Sequence, residues 1–191
     1  SEFGKIDILI NNAGGRNPEI INEIYSDDIT KSFLEGRPLE SWRSTIDINL
    51  TSVFLGCKSV IPYMKKEKYG KIVNIASIDG VVGRDLELYR GTGLSPTVPD
   101  YLASKGGIIS LTKGIAVAFA KYGINVNSIS PGGFLRGQPD EFVRKYSARV
   151  PLGRMGKDDT DLKGAIAYLC SRASDYVTGH NLIVDGGWTA W

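Results

Sequence analysis

The sequence predicts an α/β fold in which a parallel sheet is flanked by helices. Strand-length apolar runs alternate with longer stretches of helical periodicity, an order typical of parallel strands joined by crossover helices. Residues 72–76 form an apolar run interrupted only by Asn74, as expected for a strand buried on both faces. With 191 residues, of which 42% are hydrophobic and 23% charged, the chain has the size and composition of a single globular domain.

Four strands and four helices are predicted from these patterns. The strands are expected at about residues 6–10, 71–76, 124–129 and 181–184. The helices are expected at about residues 40–66, 101–122, 134–147 and 158–172. Pro62 falls inside the first helix and is expected to kink or loosen its last turn.

Two long polar segments follow predicted strands, at residues 15–38 and 78–100. Ligands bind at the carboxyl ends of the strands in open α/β sheets, and long loops in compact domains are usually functional. We therefore expect both segments to border a binding site.

Three polar side chains suit the transfer of a proton to or from a carbonyl or alcohol oxygen. Tyr101 and Lys105 stand four residues apart at the start of a predicted helix, so they share one face. Ser77 closes the predicted strand that precedes them. The positive charge of Lys105 favours the phenolate form of Tyr101, and a hydroxyl such as that of Ser77 can hold the reacting oxygen.

Asn49 is a fourth polar candidate, because it stands in a helical stretch rich in apolar residues. A buried amide requires hydrogen-bond partners. It is either a structural amide that bridges neighbouring elements or a part of the site.

The chain resembles the classical short-chain dehydrogenase/reductase family over essentially its whole length. The resemblance rests on motifs that occur in the family's order: Asn11-Asn12-Ala13-Gly14, Asn49, Ser77, Tyr101-Leu-Ala-Ser-Lys105, Pro131-Gly132, Thr178-Gly179 and Val184-Asp-Gly-Gly187. One Tyr-x-x-x-Lys arises by chance with roughly even odds in a chain with nine tyrosines. The ordered set, by contrast, is highly specific.

The resemblance implies the C-terminal portion of a Rossmann-type, doubly wound domain and an oxidoreductase that uses NAD or NADP to interconvert a secondary alcohol and a ketone. It assigns the proton transfer to Tyr101 and the substrate oxygen to Ser77. It also implies that Lys105 hydrogen-bonds the nicotinamide ribose and that Asn49 belongs to a water-linked proton relay behind Lys105.

The resemblance also implies a set of cofactor-binding residues. They are Asn11, Ala13, Gly14, Tyr101, Lys105, Pro131, Gly132 and Phe134. Family members usually carry a threonine a few residues after the Pro-Gly pair, where this chain has Phe134-Leu-Arg136, so one cofactor hydrogen bond is expected to be missing. Arg136 could instead face a carboxylate, although a solvated arginine is the commoner case.

The family's Gly-rich turn, which cradles the cofactor pyrophosphate, has no counterpart after a predicted strand in this sequence. The chain is therefore expected to lack the first three strands of the family's domain. This leaves NAD or NADP open, because the residue that reads the ribose 2′ position lies in that region. An inactive fragment or a binding protein on the same fold is the alternative.

The substrate is expected to be a small molecule, either a sugar acid or polyol as in gluconate-type dehydrogenases, or a 3-oxoacyl thioester. Within the family, helix 101–122 and the helix with Asn49 pair across a dimer interface, so a homodimer or homotetramer is expected. A serine hydrolase that uses Ser77 and His180 is disfavoured, because the sequence around Ser77 lacks the glycines of G-x-S-x-G.

Composition disfavours several other classes of protein. The net charge is +2 and no basic block dominates, so no nucleic-acid partner is expected. With a single histidine, His180, no metal site is expected. Cys57 and Cys170 are expected to be free thiols, as in the cytoplasm. No signal peptide and no apolar run long enough for a bilayer is recognised, so no membrane partner is expected.

Overall fold

The structure is a computed structural model that describes residues 4–15, 31–96 and 98–191. Within these residues four strands form one sheet in the order β1-β2-β3-β4, and each neighbouring pair is parallel. The strands are β1 (Ile8–Asn11), β2 (Gly70–Ile75), β3 (Ile124–Pro131) and β4 (Asn181–Val184). The predicted parallel sheet flanked by helices is therefore confirmed.

Five α-helices are present in the described part of the chain. They are α1 (Leu39–Ile46), α2 (Ser52–Glu67), α3 (Pro99–Phe119), α4 (Asp140–Ser147) and α5 (Lys163–Cys170). A π-helical segment, Asp47–Thr51, joins α1 to α2, so the helix predicted over 40–66 is one stretch with a local widening. Pro62 lies inside α2, which nevertheless continues to Glu67.

Two predicted helices begin later than the sequence pattern indicated. The helix predicted over 134–147 begins at Asp140, because Phe134 pairs with Gly156 in a β-bridge and Gly137 has a φ of +79°. The helix predicted over 158–172 spans only Lys163–Cys170. The segment before it forms a turn in which the Asp161 carboxylate accepts the Lys157 N–H at 2.8 Å.

The sheet is covered by helices on both faces, as in a doubly wound fold. Side chains alternate between the faces along each strand. Ile72 and Val126 belong to the core beneath α2 and α3, which also contains Ile108. Val73 and Ile129 point to the other face, where they pack against α5.

The segment 78–100 packs against α4 through a third apolar cluster. Short 3₁₀ turns at Ile78–Gly80 and Leu86–Tyr89 give this segment its shape. Tyr89 and Phe142 lie with ring centroids 5.4 Å apart, and Tyr146 stacks on Trp188 at 4.3 Å. This cluster therefore packs the segment against α4 and against the residues that follow β4.

Helix α3 requires one correction to the sequence analysis. Together with the 3₁₀ turn that follows it, α3 forms a 24-residue helix, Pro99–Tyr122, that has the length and composition of a membrane span. The expectation that no such run exists was wrong by this criterion. A single helix of this kind is weak evidence, because the core helices of globular proteins meet the same criterion. Ile108 and Ala116 of α3 are buried in the core described above.

Candidate active site

A cleft of about 380 Å³ opens at the carboxyl ends of the first three strands, and it brings together all four residues predicted as catalytic. Asn49, Ser77, Tyr101 and Lys105 all line it. The other lining residues come from several elements: Asn12, Gly14, Gly15, Ile75, Ala76, Pro131, Gly132, Phe134, Arg136, Gln138 and Leu162. Chain segments far apart in sequence therefore share one concave surface at the sheet edge where such folds bind ligands.

Tyr101 and Lys105 lie on one face of α3, as their spacing predicts. The Lys105 ammonium nitrogen stands 5.5 Å from the centroid of the Tyr101 ring. Pro99 occupies the first turn of α3, where its missing N–H costs nothing. The helix therefore presents a phenol and an ammonium to the cleft within its first two turns.

Lys105 is 6% exposed and donates a hydrogen bond from Nζ to the Ile75 carbonyl oxygen at 2.9 Å. Burial disfavours its charged form and lowers its pKa to about 8, while the negative charge of Asp79 acts in the opposite direction. The Lys105 side chain therefore carries its positive charge mainly below about pH 8.

Ser77 lies at the start of the Ile78–Gly80 turn and is 8% exposed. Its hydroxyl oxygen accepts the Asp79 N–H at 3.1 Å. This bond fixes the side-chain rotamer and leaves the hydroxyl hydrogen able to reach an acceptor in the cleft.

Asn49 lies in the π-helical segment, a widening of the helix that often marks functional positions. Its amide nitrogen donates to the Gly15 carbonyl at 2.8 Å and to the Thr45 carbonyl at 2.9 Å, and its amide oxygen accepts the Gly15 N–H at 3.1 Å. Asn49 therefore bridges neighbouring elements, as expected of a structural amide. It also lines the cleft, so the relay role stays a prediction.

The residues of the motif that follows β1 take different positions. The Asn11 amide donates to Asn74 Oδ1 at 2.8 Å and so ties β1 to β2; Asn11 is not among the residues that line the cleft. Ala13 is exposed and is also outside the lining. Asn12 and Gly14 do line it. Asn12 was part of the motif but was not predicted as a binding residue.

The Pro131–Phe134 turn lies where β3 ends, and three of the predicted residues, Pro131, Gly132 and Phe134, line the cleft. The Gly133 N–H donates to the Tyr146 hydroxyl oxygen at 2.6 Å. A Cβ at Gly133 would lie 2.6 Å from Tyr146 Cζ, so only glycine admits the tyrosine this close. Burial raises the pKa of Tyr146, which keeps its phenol neutral. Tyr146 thus holds the turn from behind, a role that no local sequence pattern indicated.

Two buried ion pairs stand behind the cleft. Arg84 donates to Asp79 Oδ2 at 2.7 Å and interacts electrostatically with Tyr146, so it links the loop after Ser77 to α4. Arg37 donates to Asp100 Oδ2 at 2.5 Å, and these side chains are 8% and 0% exposed. Asp100 directly precedes Tyr101, so this second pair anchors the start of α3.

The two long segments were expected to border the site. Among the described residues of 78–100, none lines the cleft, since this segment packs against α4 instead. Gly15 of the segment 15–38 lines it, whereas residues 16–30 lie outside the described part of the chain.

Arg136 lines the mouth of the cleft and interacts electrostatically with Tyr101. Its guanidinium forms a two-pronged ion pair with Asp158, with distances of 2.6 and 2.8 Å. The two side chains are 66% and 47% exposed. The solvated arginine expected from the sequence thus also faces the candidate site.

His180 lies too far from Ser77 to form a hydrolase triad. The register aligns Asn181 with Ser128 and Ser128 with Asn74, so His180 is level with a position four residues before Ser77. At about 3.3 Å per residue this separates them by roughly 13 Å along the strands, with β3 between them. Among the described residues, no three His, Cys, Asp or Glu side chains are grouped as metal ligands.

Comparison with known proteins gives a consistent group of relatives. The profile of a family described as enoyl-(acyl carrier protein) reductase matches residues 1–189. The 5-keto-D-gluconate 5-reductase of Escherichia coli is 35% identical over 192 residues, which include 97% of this chain. A 3-oxoacyl-(acyl-carrier-protein) reductase of Staphylococcus aureus is 33% identical over 191 residues, with 98% of this chain and 68% of that protein covered.

Two solved structures share the fold closely. A short-chain dehydrogenase from Leptospira borgpetersenii with bound NAD+ is 37% identical, with a TM-score of 0.82 over 96% of this chain and 65% of that one. A gluconate 5-dehydrogenase from Burkholderia cenocepacia, in complex with NADP and tartrate, is 34% identical, with a TM-score of 0.80 over 98% of this chain and 66% of that one. The chain spans 66% of the length of the Escherichia coli relative.

Proposed function

The chain belongs to the classical short-chain dehydrogenase/reductase family, and we propose that the protein is an NAD(P)-dependent oxidoreductase that interconverts a secondary alcohol and a ketone. The observation that carries the proposal is the convergence of Ser77, Tyr101 and Lys105 on one cleft at the carboxyl edge of the sheet. We further propose that the chain forms one Rossmann-type domain.

Each side chain has a specific part in this proposal. In the direction of reduction, the Tyr101 hydroxyl gives its proton to the ketone oxygen; in oxidation, the phenolate takes the proton of the alcohol. Ser77 donates a hydrogen bond to the same oxygen and holds it near Tyr101. Lys105, whose Nζ is 5.5 Å from the Tyr101 ring centroid, stabilises the phenolate. Asn49, behind Lys105, is proposed to take part in the proton relay.

The residues present fit the nicotinamide end of a dinucleotide. A bound nicotinamide cofactor would supply the hydride chemistry. Gly14 leaves room at the cleft wall, since a Cβ there would lie 2.7 Å from Asn49 Oδ1 and 3.7 Å from Lys105 Nζ. Lys105 is proposed to bind a ribose hydroxyl, and the backbone of Pro131, Gly132 and Phe134 is proposed to bind a carboxamide; all four residues line the cleft, which supports these roles. Asn11 and Ala13 are proposed to support the wall rather than to contact the cofactor.

We propose a sugar acid or a polyol as the substrate. The relatives named for 5-keto-D-gluconate and gluconate support this class, as does the tartrate bound to the Burkholderia cenocepacia enzyme. The second candidate is a 3-oxoacyl thioester, which the Staphylococcus aureus relative supports.

An absorbance assay of nicotinamide reduction and oxidation tests the proposal. The protein is offered gluconate, its 5-keto form, glucitol and a 3-oxoacyl thioester, each with NAD(H) and NADP(H). Turnover of the sugar acid or polyol is expected. Preference for the thioester would favour the second candidate. Calorimetry with NAD and NADP tests the alternative that the chain is a binding protein. Cofactor binding without turnover of any substrate would favour that alternative.

We propose that the protein acts in the cytoplasm as a homodimer or homotetramer. Exposed apolar side chains on two neighbouring helices support assembly: Phe54, Leu55 and Tyr63 of α2 are 47%, 50% and 59% exposed, and Val117 of α3 is 83% exposed. Val117→Asp is expected to lower the mass measured by light scattering. An unchanged oligomeric mass would show that this face does not form the interface.

A further inference from the structure

Arg136 stands out because the described residues that line the cleft include cations but no acidic side chain. Among the lining residues in the described part of the chain, two are cations, Lys105 and Arg136, and none is Asp or Glu. The Lys105 ammonium is already bonded to the Ile75 carbonyl and faces Tyr101. Arg136 is paired with Asp158, which lies outside the lining, so it is the lining cation that a bound anion can reach by replacing an exposed partner.

The geometry of Arg136 is that of a carboxylate-binding residue. Its Nε and a terminal nitrogen bind both oxygens of Asp158 side by side, which is how a guanidinium binds a carboxylate. Because both side chains are largely exposed, this pair contributes little to stability and can be exchanged for a competing carboxylate.

The backbone that carries Arg136 is held in place, so exchange requires movement of the side chain alone. The Arg136 N–H donates to Gln138 Oε1 at 2.7 Å, and the Gln138 amide donates to the Phe134 carbonyl at 2.8 Å. The Leu135 N–H donates to the Gly156 carbonyl at 2.9 Å. Because this backbone is fixed by hydrogen bonds, the Arg136 side chain can rotate from Asp158 toward the cleft without unfolding the loop.

We propose that Arg136 binds the carboxylate of an acidic substrate whose carbonyl or alcohol group reacts at Tyr101, and that Asp158 holds the guanidinium until the substrate replaces it. The inference rests on the proposed oxidoreductase function and narrows its substrate to hydroxy or keto acids. Arg136 thereby determines specificity, while the proton transfer remains with Tyr101.

The test compares gluconate with glucitol, which have the same carbon number and differ in the terminal carboxylate. Arg136→Met removes the charge and keeps a long side chain. It is expected to raise the KM for gluconate about 10- to 100-fold, the range for a lost charge-assisted hydrogen bond, and to leave the KM for glucitol within about twofold. Arg136→Lys keeps the charge without the two-pronged geometry and is expected to fall between wild type and Arg136→Met.

Arg144→Met is the matched control. Arg144 forms a similar two-pronged pair with Glu141, at 3.0 and 2.8 Å, and is 70% exposed, but it does not line the cleft. The control is expected to leave both KM values unchanged. An equal gluconate-to-glucitol ratio of KM in wild type and Arg136→Met would overturn the proposal.

Two further measurements separate this inference from the proposed function. If wild type oxidises glucitol but neither oxidises nor binds gluconate, the proposed oxidoreductase function is supported and the proposed carboxylate binding by Arg136 is wrong. If Arg136→Met weakens NAD(P)H binding, followed by nicotinamide fluorescence, and leaves the substrate ratio unchanged, Arg136 serves the cofactor phosphates and the proposal is wrong. Calorimetry of gluconate with wild type and Arg136→Met tests the contact even without turnover, and equal affinities would also overturn it.

Discussion

The Lys105 ammonium donates a hydrogen bond to the Ile75 carbonyl oxygen at 2.9 Å, which ties α3 to the end of β2. Ile75 is the last residue of β2, and Ser77 follows two residues later. The bond therefore fixes the helix face that carries Tyr101 and Lys105 relative to the Ser77 hydroxyl. It also places the ammonium where water has little access, which lowers its pKa.

The first prediction concerns this titration. The pKa of Lys105 is about 8 in the folded protein against an ordinary value of 10.5. In that interval the unfolded chain holds a proton that the folded chain has released, so the free energy of unfolding gains a contribution that rises with pH from about 8 to about 10.5. Lys105→Met is expected to lack this contribution. Urea unfolding of both proteins across the interval measures it, and parallel profiles would contradict it.

Tyr101→Phe is expected to lower kcat by about 10²- to 10⁴-fold, because one positioned acid–base group is lost. Binding of NAD(P)H is expected to stay nearly intact. Tyr176→Phe is the control, since the Tyr176 side chain is fully exposed. Steady-state kinetics and a cofactor titration provide the comparison. Near-normal kcat in Tyr101→Phe would exclude the assigned role.

Gly14→Ala is expected to disturb the wall of the cleft. Its Cβ would lie 2.7 Å from Asn49 Oδ1, and the Asn49 amide is held by Gly15 and Thr45. The expected loss is about 1–3 kcal/mol in the free energy of unfolding, together with weaker cofactor binding. Gly15→Ala is the neighbouring control for stability, because no described atom lies within 4 Å of a Cβ built there. An equal loss of unfolding free energy in the two variants would refute the prediction.

Arg37→Met is expected to destabilise the protein by about 3–5 kcal/mol, because it leaves the Asp100 carboxylate buried and unpaired. Arg90→Met removes an exposed pair with Glu87, in which the side chains are 74% and 61% exposed, and is expected to cost about 0–1 kcal/mol. Adding Asp100→Asn to Arg37→Met is expected to recover part of the loss. Chemical unfolding of wild type, Arg37→Met, Arg90→Met and the double variant measures their free energies of unfolding. A loss in Arg37→Met as small as that in Arg90→Met would contradict the prediction.

Tyr146→Phe is expected to leave the Gly133 N–H without its acceptor at the edge of the cleft. An unpaired donor of this kind costs about 1–3 kcal/mol. Since Gly133 lies between two cleft-lining residues, the Kd for NAD(P)H is expected to rise as well. Tyr176→Phe, at a fully exposed side chain, is expected to change neither quantity. Unchanged cofactor affinity in Tyr146→Phe would show that the turn does not need this bond.

The sequence was sufficient for the features that depend on local pattern. The four strands follow from runs of apolar and β-branched residues, and the shared face of Tyr101 and Lys105 follows from their spacing in a helix. Ser77 could be placed at the same sheet edge because it closes a predicted parallel strand. The start of α4 could not be placed correctly, because the bridge between Phe134 and Gly156 competes with helix in that segment.

Tertiary structure alone decided the contacts between residues distant in sequence. Arg37 and Asp100 are 63 positions apart, and nothing near either residue predicts that they form a buried pair. The bond from Gly133 to Tyr146 and the lowered pKa of Lys105 likewise depend on how α4, α3 and β2 pack. Local periodicity determines which residues form helices and strands, whereas burial and hydrogen-bond partners arise only when those elements come together, since both depend on neighbours contributed by other parts of the chain.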